Sequence, residues 1–241
     1  MGRLIGEAPL VWVTRARPAA EETARRLEAI GHTALVDPVL EARAFGDGPI
    51  DLAGAAALAF TSANAVAAFR ARSPERGLPV FAVGGATAAA ARTAGFEDIG
   101  EADGDVATLA RRIADDPRRP SSILHLAARE PAGDLVGELR ALGVKADGLA
   151  VYETLVRSPM AATRAALTDL AAILLHSPKA ASVVAAAVGD GPLGRTRILC
   201  LSPAIGRTFV AALPPRSPVA AYIPEAAALP NETALLSLLR R

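Results

Sequence analysis

One strand–turn–helix unit recurs along this chain, and the order of its copies restricts the fold more than any other feature. The apolar run Ala57-Leu58-Ala59-Phe60 stops at two hydroxyls, Thr61-Ser62, and resumes as Ala63-Asn64-Ala65-Val66-Ala67-Ala68-Phe69 with apolar residues at helical spacing. This reads as a buried strand, a tight turn and an amphipathic helix with the hydroxyls at its N-cap. The pattern returns as Ile173-Leu174-Leu175-His176-Ser177-Pro178-Lys179 and an alanine-rich helix to Val188, with Pro178 at the first helical position, where a missing amide proton is harmless. Val80-Phe81-Ala82-Val83 leads through Gly84-Gly85-Ala86-Thr87 into a helix stopped by Gly95, and Ile198-Leu199-Cys200-Leu201 leads through Ser202-Pro203-Ala204 into one ending near Leu213. A third pair opens with Val11-Trp12-Val13-Thr14-Arg15 and with Ile123-Leu124-His125-Leu126.

The N-terminal copy of the third unit stands alone, its sheet partners lie after residue 160, and the middle of the chain holds a complete set. The N-terminus is therefore predicted to pair with the C-terminal part. The expected fold is α/β: two parallel-sheet domains, one inserted into the other, joined by a two-stranded linker, with a cleft between them. Residues 1–38 plus 156–241 form the outer domain and 39–155 the inserted one, with crossings near Asp37-Pro38-Val39-Leu40 and Ala150-Val151-Tyr152-Glu153. Finer expectations are strands at 33–39 and 219–223, helices at 132–142 and 160–170, a loop from Arg43 to Leu52, and a charged loop at 115–120 whose two arginines are solvated.

With 26 Lys plus Arg against 25 Asp plus Glu, the net charge of +1 offers no field for nucleic acid or an anionic membrane, so the expected partner is a small molecule. The single cysteine, Cys200, excludes an intrachain disulfide and a Cys-rich metal site. No apolar run reaches the ~18 residues of a membrane span and the first residues lack a signal-peptide pattern, so a cytoplasmic monomer is expected.

Ligands of open parallel sheets bind beyond the carboxyl ends of the strands. The residues there are Thr14 and Arg15, Thr61 and Ser62, Gly84 through Thr87, Ser177, Pro178 and Lys179, and Ser202 through Ala204. They contain no Ser-His-Asp order, HExxH, phosphate loop or GxGxxG fingerprint. They do supply helix N-termini with free amide protons and hydroxyls, each suited to an anionic oxygen. A single strand-end hydroxyl reads first as a helix cap, and Thr61 with Ser62 stands out because one cap needs only one hydroxyl; Arg15 and Lys179 read equally as carboxylate partners or as solvated, and Tyr152 equally as a proton donor or as linker packing. His176 reads as a hydrogen-bonded edge residue, and neither His32 nor His125 is favoured for a role.

Together the ordered segments Val13-Thr14-Arg15, Phe60-Thr61-Ser62-Ala63-Asn64-Ala65-Val66, Val83-Gly84-Gly85-Ala86-Thr87-Ala88, Gly95-Phe96, Val151-Tyr152-Glu153-Thr154 and Ser177-Pro178 resemble the uroporphyrinogen-III synthase family over nearly the whole chain. The resemblance implies a substrate, hydroxymethylbilane, that is a linear tetrapyrrole with eight carboxylates. Its ring-A hydroxyl leaves as water, ring D attacks through its substituted carbon to give a spiro intermediate, and the ring recloses with ring D inverted. No metal or organic cofactor is implied. The family places Tyr152 as the acid near the departing hydroxyl; Ala63, Asn64 and Ile205 join the strand-end residues as substrate contacts, Ile205 standing where the family often has Thr, and Ala127-Ala128 where a glycine is common. Two other readings compete: a two-lobed binding or sensor protein that closes on an anion without chemistry, and a sugar-nucleotide transferase, which would need acidic strand-end residues for a metal.

Overall fold

The computed structural model describes residues 8–102, 104–189, 191, 193–215, 217, 219 and 222–240. Its elements are β1 (Leu10–Val13), α1 (Ala19–Ala29), β2 (Thr33–Val36), β3 (Leu40–Ala44), β4 (Ala57–Phe60), α2 (Ala63–Arg72), β5 (Val80–Ala82), α3 (Gly85–Thr93), β6 (Ile99–Glu101), α4 (Val106–Ala114), β7 (Ile123–Ala128), α5 (Leu135–Ala141), β8 (Ala146–Val156), α6 (Ala161–Ala165), β9 (Ala172–Leu175), α7 (Pro178–Val188), β10 (Arg197–Cys200), α8 (Pro203–Ala212), β11 (Glu225–Ala226) and α9 (Glu232–Ser237). The chain divides into two compact units, Met1–Glu41 with Leu155–Arg241, and Ala42–Thr154. The crossings pair with each other: Phe45 N–H donates to the Val151 carbonyl and Arg157 N–H to that of Val39, so position rises on β3 as it falls on β8.

In the first unit the sheet runs β11-β10-β9-β1-β2, all parallel. In the second it runs β3-β8-β7-β4-β5-β6, parallel from β8 to β6. Setting β9 against β4, β10 against β5, β11 against β6 and β1 against β7 superposes the two orders, which is the duplication read from the repeated units.

Central strands such as Ala57–Phe60 and Ala172–Leu175 are buried at every position, so each sheet needs helices on both faces. In the first unit Trp12, Ile173, Leu175 and Ile198 share a core with Ala181, Val184 and Phe209 of α7 and α8, while Val11, Val13, Leu174 and Leu199 share another with Leu27 of α1 and Leu235 of α9. In the second, Leu58, Phe60 and Leu126 pack with Phe69 and Phe96, and Ala57, Ala59 and Phe81 with Leu109, Ile113 and Leu139 of α4 and α5. The Phe60 and Phe69 rings meet edge-on at 5.7 Å, a geometry set by the ring quadrupoles. Cys200 lies within the first core, fully buried, and burial pushes its thiol up to about 12, so it is a small apolar filler.

Local expectations fail at several element ends. The helix expected at 160–170 is only Ala161–Ala165, because after Ala166 the amides of Leu167 and Asp169 turn to carbonyls three residues back. Its start is held from elsewhere: the Asp37 carboxylate accepts from Thr163 Oγ1 at 2.6 Å and from the Met160 amide at 2.8 Å, while the Asp37 carbonyl accepts from Trp12 Nε1. Asp37→Ala leaves the fully buried Thr163 hydroxyl without its acceptor and is expected to destabilise the first unit by about 3 kcal/mol in urea unfolding; a change under about 1 kcal/mol would contradict that.

The strand expected at 219–223 overlaps residues 220 and 221, outside the described set; the observed strand begins only after Pro224, where the bidentate Arg197–Glu225 pair at 2.7 and 2.6 Å ties β11 to β10. Arg43 and Ala44 lie in β3, not in the expected loop. The helix expected from 132 starts at Leu135, capped by Asp134, whose carboxylate accepts from the Gly137 amide. In the charged loop Arg118 is exposed, as expected, and is also bonded to Asp116 and Asp98, with its guanidinium 5.2 Å from the Phe81 ring centre; the bonds from Arg118, with one from Arg112, hold the Asp116 carboxyl well below its usual range.

Candidate active site

In a parallel sheet the chain reverses its direction of travel at one pair of adjacent strands, and the loops leaving that pair diverge to leave a crevice at the carboxyl ends. The reversal falls between β4 and β7 in the second unit and between β1 and β9 in the first. The predicted residues gather at these two edges.

At the second unit's edge, β4 ends into Thr61 and Ser62. Ser62 is the N-cap of α2, its extended φ of −159° leaving Oγ to accept from the Asn64 amide at 3.1 Å. Exposed Ala63 opens the helix, and the amides of Ala65 and Val66 turn to the Ser62 carbonyl. Thr61 is not the cap: its Oγ1 lies 3.1 Å from His125 Nε2. One strand over, Gly84 caps α3 with no side chain, and no described residue accepts from the amides of Gly85 and Ala86. Thr87, one turn in, is 6% exposed.

On the other side of β7 the register with β8 shifts between Ala127 and Ala128, which sets Ala128 opposite Tyr152. The shift brings Tyr152 to the same carboxyl edge. The ring is 8% exposed and shares a core with Phe60, Val66 and Leu126, and no described residue receives a hydrogen bond from its hydroxyl.

At the first unit's edge, Ser177 caps α7 by accepting from the Ala180 amide at 3.2 Å, Pro178 takes the first helical position and Lys179 follows, exposed. Ser202 occupies the N-cap of α8 without a capping bond from its hydroxyl; Ala204 is exposed, and the Ile205 side chain is core, 4% exposed, so only its backbone belongs to this edge. Thr14 is structural, its buried hydroxyl donating to the Leu174 carbonyl at 2.6 Å.

Arg15 is partly exposed and already paired. It donates through Nη1 at 3.0 Å to Glu232, the first residue of α9, whose carboxylate also accepts from Thr23 at 2.7 Å and meets His176 Nε2 at 2.9 Å. Burial alone would push this carboxyl up; the His176 hydrogen bond and charge, the Thr23 bond and the Arg15 charge overcome it and hold it at about 2. Asn231 caps α9, its side-chain carbonyl accepting from the Ala234 amide at 2.9 Å. A carboxyl depressed from 4.5 to about 2 adds stability that is complete above pH 4.5 and lost as pH falls toward 2. Glu232→Gln is therefore expected to be less stable than the parent at pH 7 and to show a flatter loss across that window in urea titrations; parallel pH profiles would contradict the network.

Both edges offer hydroxyls and helix N-termini, and among the described residues no three His, Cys, Asp or Glu side chains gather as a metal site. The class defined is a duplicated, largely parallel α/β protein with helix N-termini and hydroxyls at the carboxyl edge of each sheet.

A family model described as uroporphyrinogen-III synthase HemD matches residues 21–217. The chain belongs to the uroporphyrinogen-III synthase family and has that family's function, as a lyase of tetrapyrrole synthesis. Similar solved structures include uroporphyrinogen-III synthetase from Helicobacter pylori, with a TM-score of 0.66 at 18% identity over 96% of this chain and 97% of that one. A mutant uroporphyrinogen III synthase from the extremely thermophilic bacterium Thermus thermophilus gives 0.53 at 16% identity over 97% and 98%. These two likenesses bear on the fold alone. No curated protein matches the chain in sequence. The family match does not favour the non-catalytic binding or sensor reading.

Proposed function

We propose that the chain acts as a cyclising hydro-lyase: it closes hydroxymethylbilane to uroporphyrinogen III, with Tyr152 as general acid and the strand-end amides and hydroxyls as carboxylate holders. What carries this reading is the family match over residues 21–217, and what gives it chemistry is the donor set at each sheet's reversal point. The leaving step needs little help, since pyrrole nitrogen electrons expel the hydroxyl. Tyr152 gives it a proton, the carbon–oxygen bond breaks and water departs. Ring D then attacks through its substituted carbon, the spiro intermediate fragments, and reclosure inverts the ring.

The larger task is to hold a floppy chain in the conformer that forms the spiro carbon rather than the direct closure. Carboxylates gripped at fixed points do this. Ser62 and Ser177 fix the entry of α2 and α7, Gly85 and Ala86 supply amides of α3, and Ser202 and Ala204 supply donors of α8. Lys179 adds charge. Since the substrate is a water-soluble polyanion, the compartment that suits it is the cytoplasm.

Complementation tests the reading. Expression in a bacterial strain lacking its own uroporphyrinogen-III synthase should restore haem-dependent growth. Full expression of folded protein without growth would contradict it.

A further inference from the structure

The buried histidine that sequence reasoning set aside lies at the most functional point of the second unit. His125 is in β7, 3% exposed, and Thr61 follows β4, so the two flank the strand pair at which the sheet reverses. The register pairs Ala59 with His125, which puts Thr61 two residues beyond that pair, just past the end of β4. Residues two apart share a face. Thr61 therefore lies on the face of Ala57 and Ala59, the one covered by α4 and α5, whereas Phe60 looks to α2.

A threonine hydroxyl has one proton and two lone pairs. To hold a carboxylate it must give that proton to the ligand. A neutral imidazole has one N–H and one bare nitrogen, so His125 settles which way the hydroxyl points. If Nε2 is bare, Thr61 donates inward and meets a carboxylate with lone pairs only. If Nε2 carries the proton, it donates to Oγ1, and the Thr61 proton is left to face the crevice. Burial pushes the His125 pKa down to about 4 against a smaller opposing pull from Asp134, so the ring is neutral at working pH.

We propose that His125 is a positioning residue that donates from Nε2 to Thr61 Oγ1 and thereby aims the Thr61 proton at a substrate carboxylate. This rests on the reading of Thr61 as a substrate contact. The bond also selects one χ1 well of a side chain that otherwise has alternatives.

The tests separate the two layers. Thr61→Val should raise KM about tenfold and increase the share of uninverted product, the scale of one lost hydrogen bond. His125→Leu, which fills the space without a donor, should do the same, and His125→Gln, whose amide nitrogen reaches the Nε2 position, should recover most of the loss. On the Thr61→Val background, His125→Leu should add less than about twofold, because its effect runs through the hydroxyl. Independent, multiplying effects would overturn the positioning role, as would an unaltered KM in His125→Leu beside a raised one in Thr61→Val. An unaltered KM in Thr61→Val would instead remove Thr61 from the substrate site. Nitrogen NMR of the unmutated protein needs no variant to fold: a side-chain spectrum with the proton on Nε2 supports the proposal, and one with it on Nδ1 refutes it.

Discussion

Tyr152→Phe is expected to lower kcat about a hundredfold, the range of a lost general acid, while the unfolding free energy moves by less than about 1 kcal/mol. The ring itself is structural: it is 8% exposed, lies opposite Ala128 at the register shift, and shares a core with Phe60 and Leu126. Phenylalanine keeps that packing. What is removed is a hydroxyl that donates to no described residue, so the fold does not depend on it. The two readouts divide the roles cleanly. A loss of stability with kcat intact would make Tyr152 a packing residue and remove it from the mechanism; an unchanged rate in an assay of hydroxymethylbilane closure would do so as well.

Replacing Thr61 and Ser62 together by alanine is expected to cut kcat/KM about a hundredfold and to let the uninverted type I product accumulate. The two hydroxyls have different partners, His125 for one and the Asn64 amide for the other, so the pair is not a redundant cap. Loss of the Ser62 cap should cost α2 about 1 kcal/mol, too little to unfold the chain. The diagnostic readout is the isomer ratio. Misfolding lowers total enzymatic product, whereas a loosened grip on the carboxylates lets the substrate close before ring D is inverted. Chromatography that shows the parent ratio in the double variant would exclude these hydroxyls from substrate handling.

Most of the architecture was legible because it rests on local signals that occur twice. Ser62 and Ser177 each stand immediately before a helix-spaced apolar run and each caps its helix through its own hydroxyl. Ser202 has the same signature and the same N-cap position, yet its hydroxyl makes no capping bond. The interleaved repeats foretold which strands share a sheet, since β1 could find partners only in β9 and β2.

What escaped sequence reading depends on residues remote in the chain. Glu232 closes on Arg15 across 217 positions and on His176 across 56, so a carboxylate at a helix start gave no hint that it would take up the arginine expected to meet substrate. Asp37 takes hold of Thr163 from 126 positions away and fixes the start of α6, a contact that no local pattern announces. His125 shows the limit at its narrowest. Its place in an apolar strand predicted burial, but its bond to Thr61 required the parallel register of β4 on β7, which no single-strand pattern contains.

Freshly prepared hydroxymethylbilane incubated with the purified chain, then oxidised and resolved by chromatography, tests the central claim most directly. The account predicts rapid consumption with uroporphyrin III as the dominant isomer at substoichiometric protein. Type I alone, formed at the rate seen without protein, would contradict it.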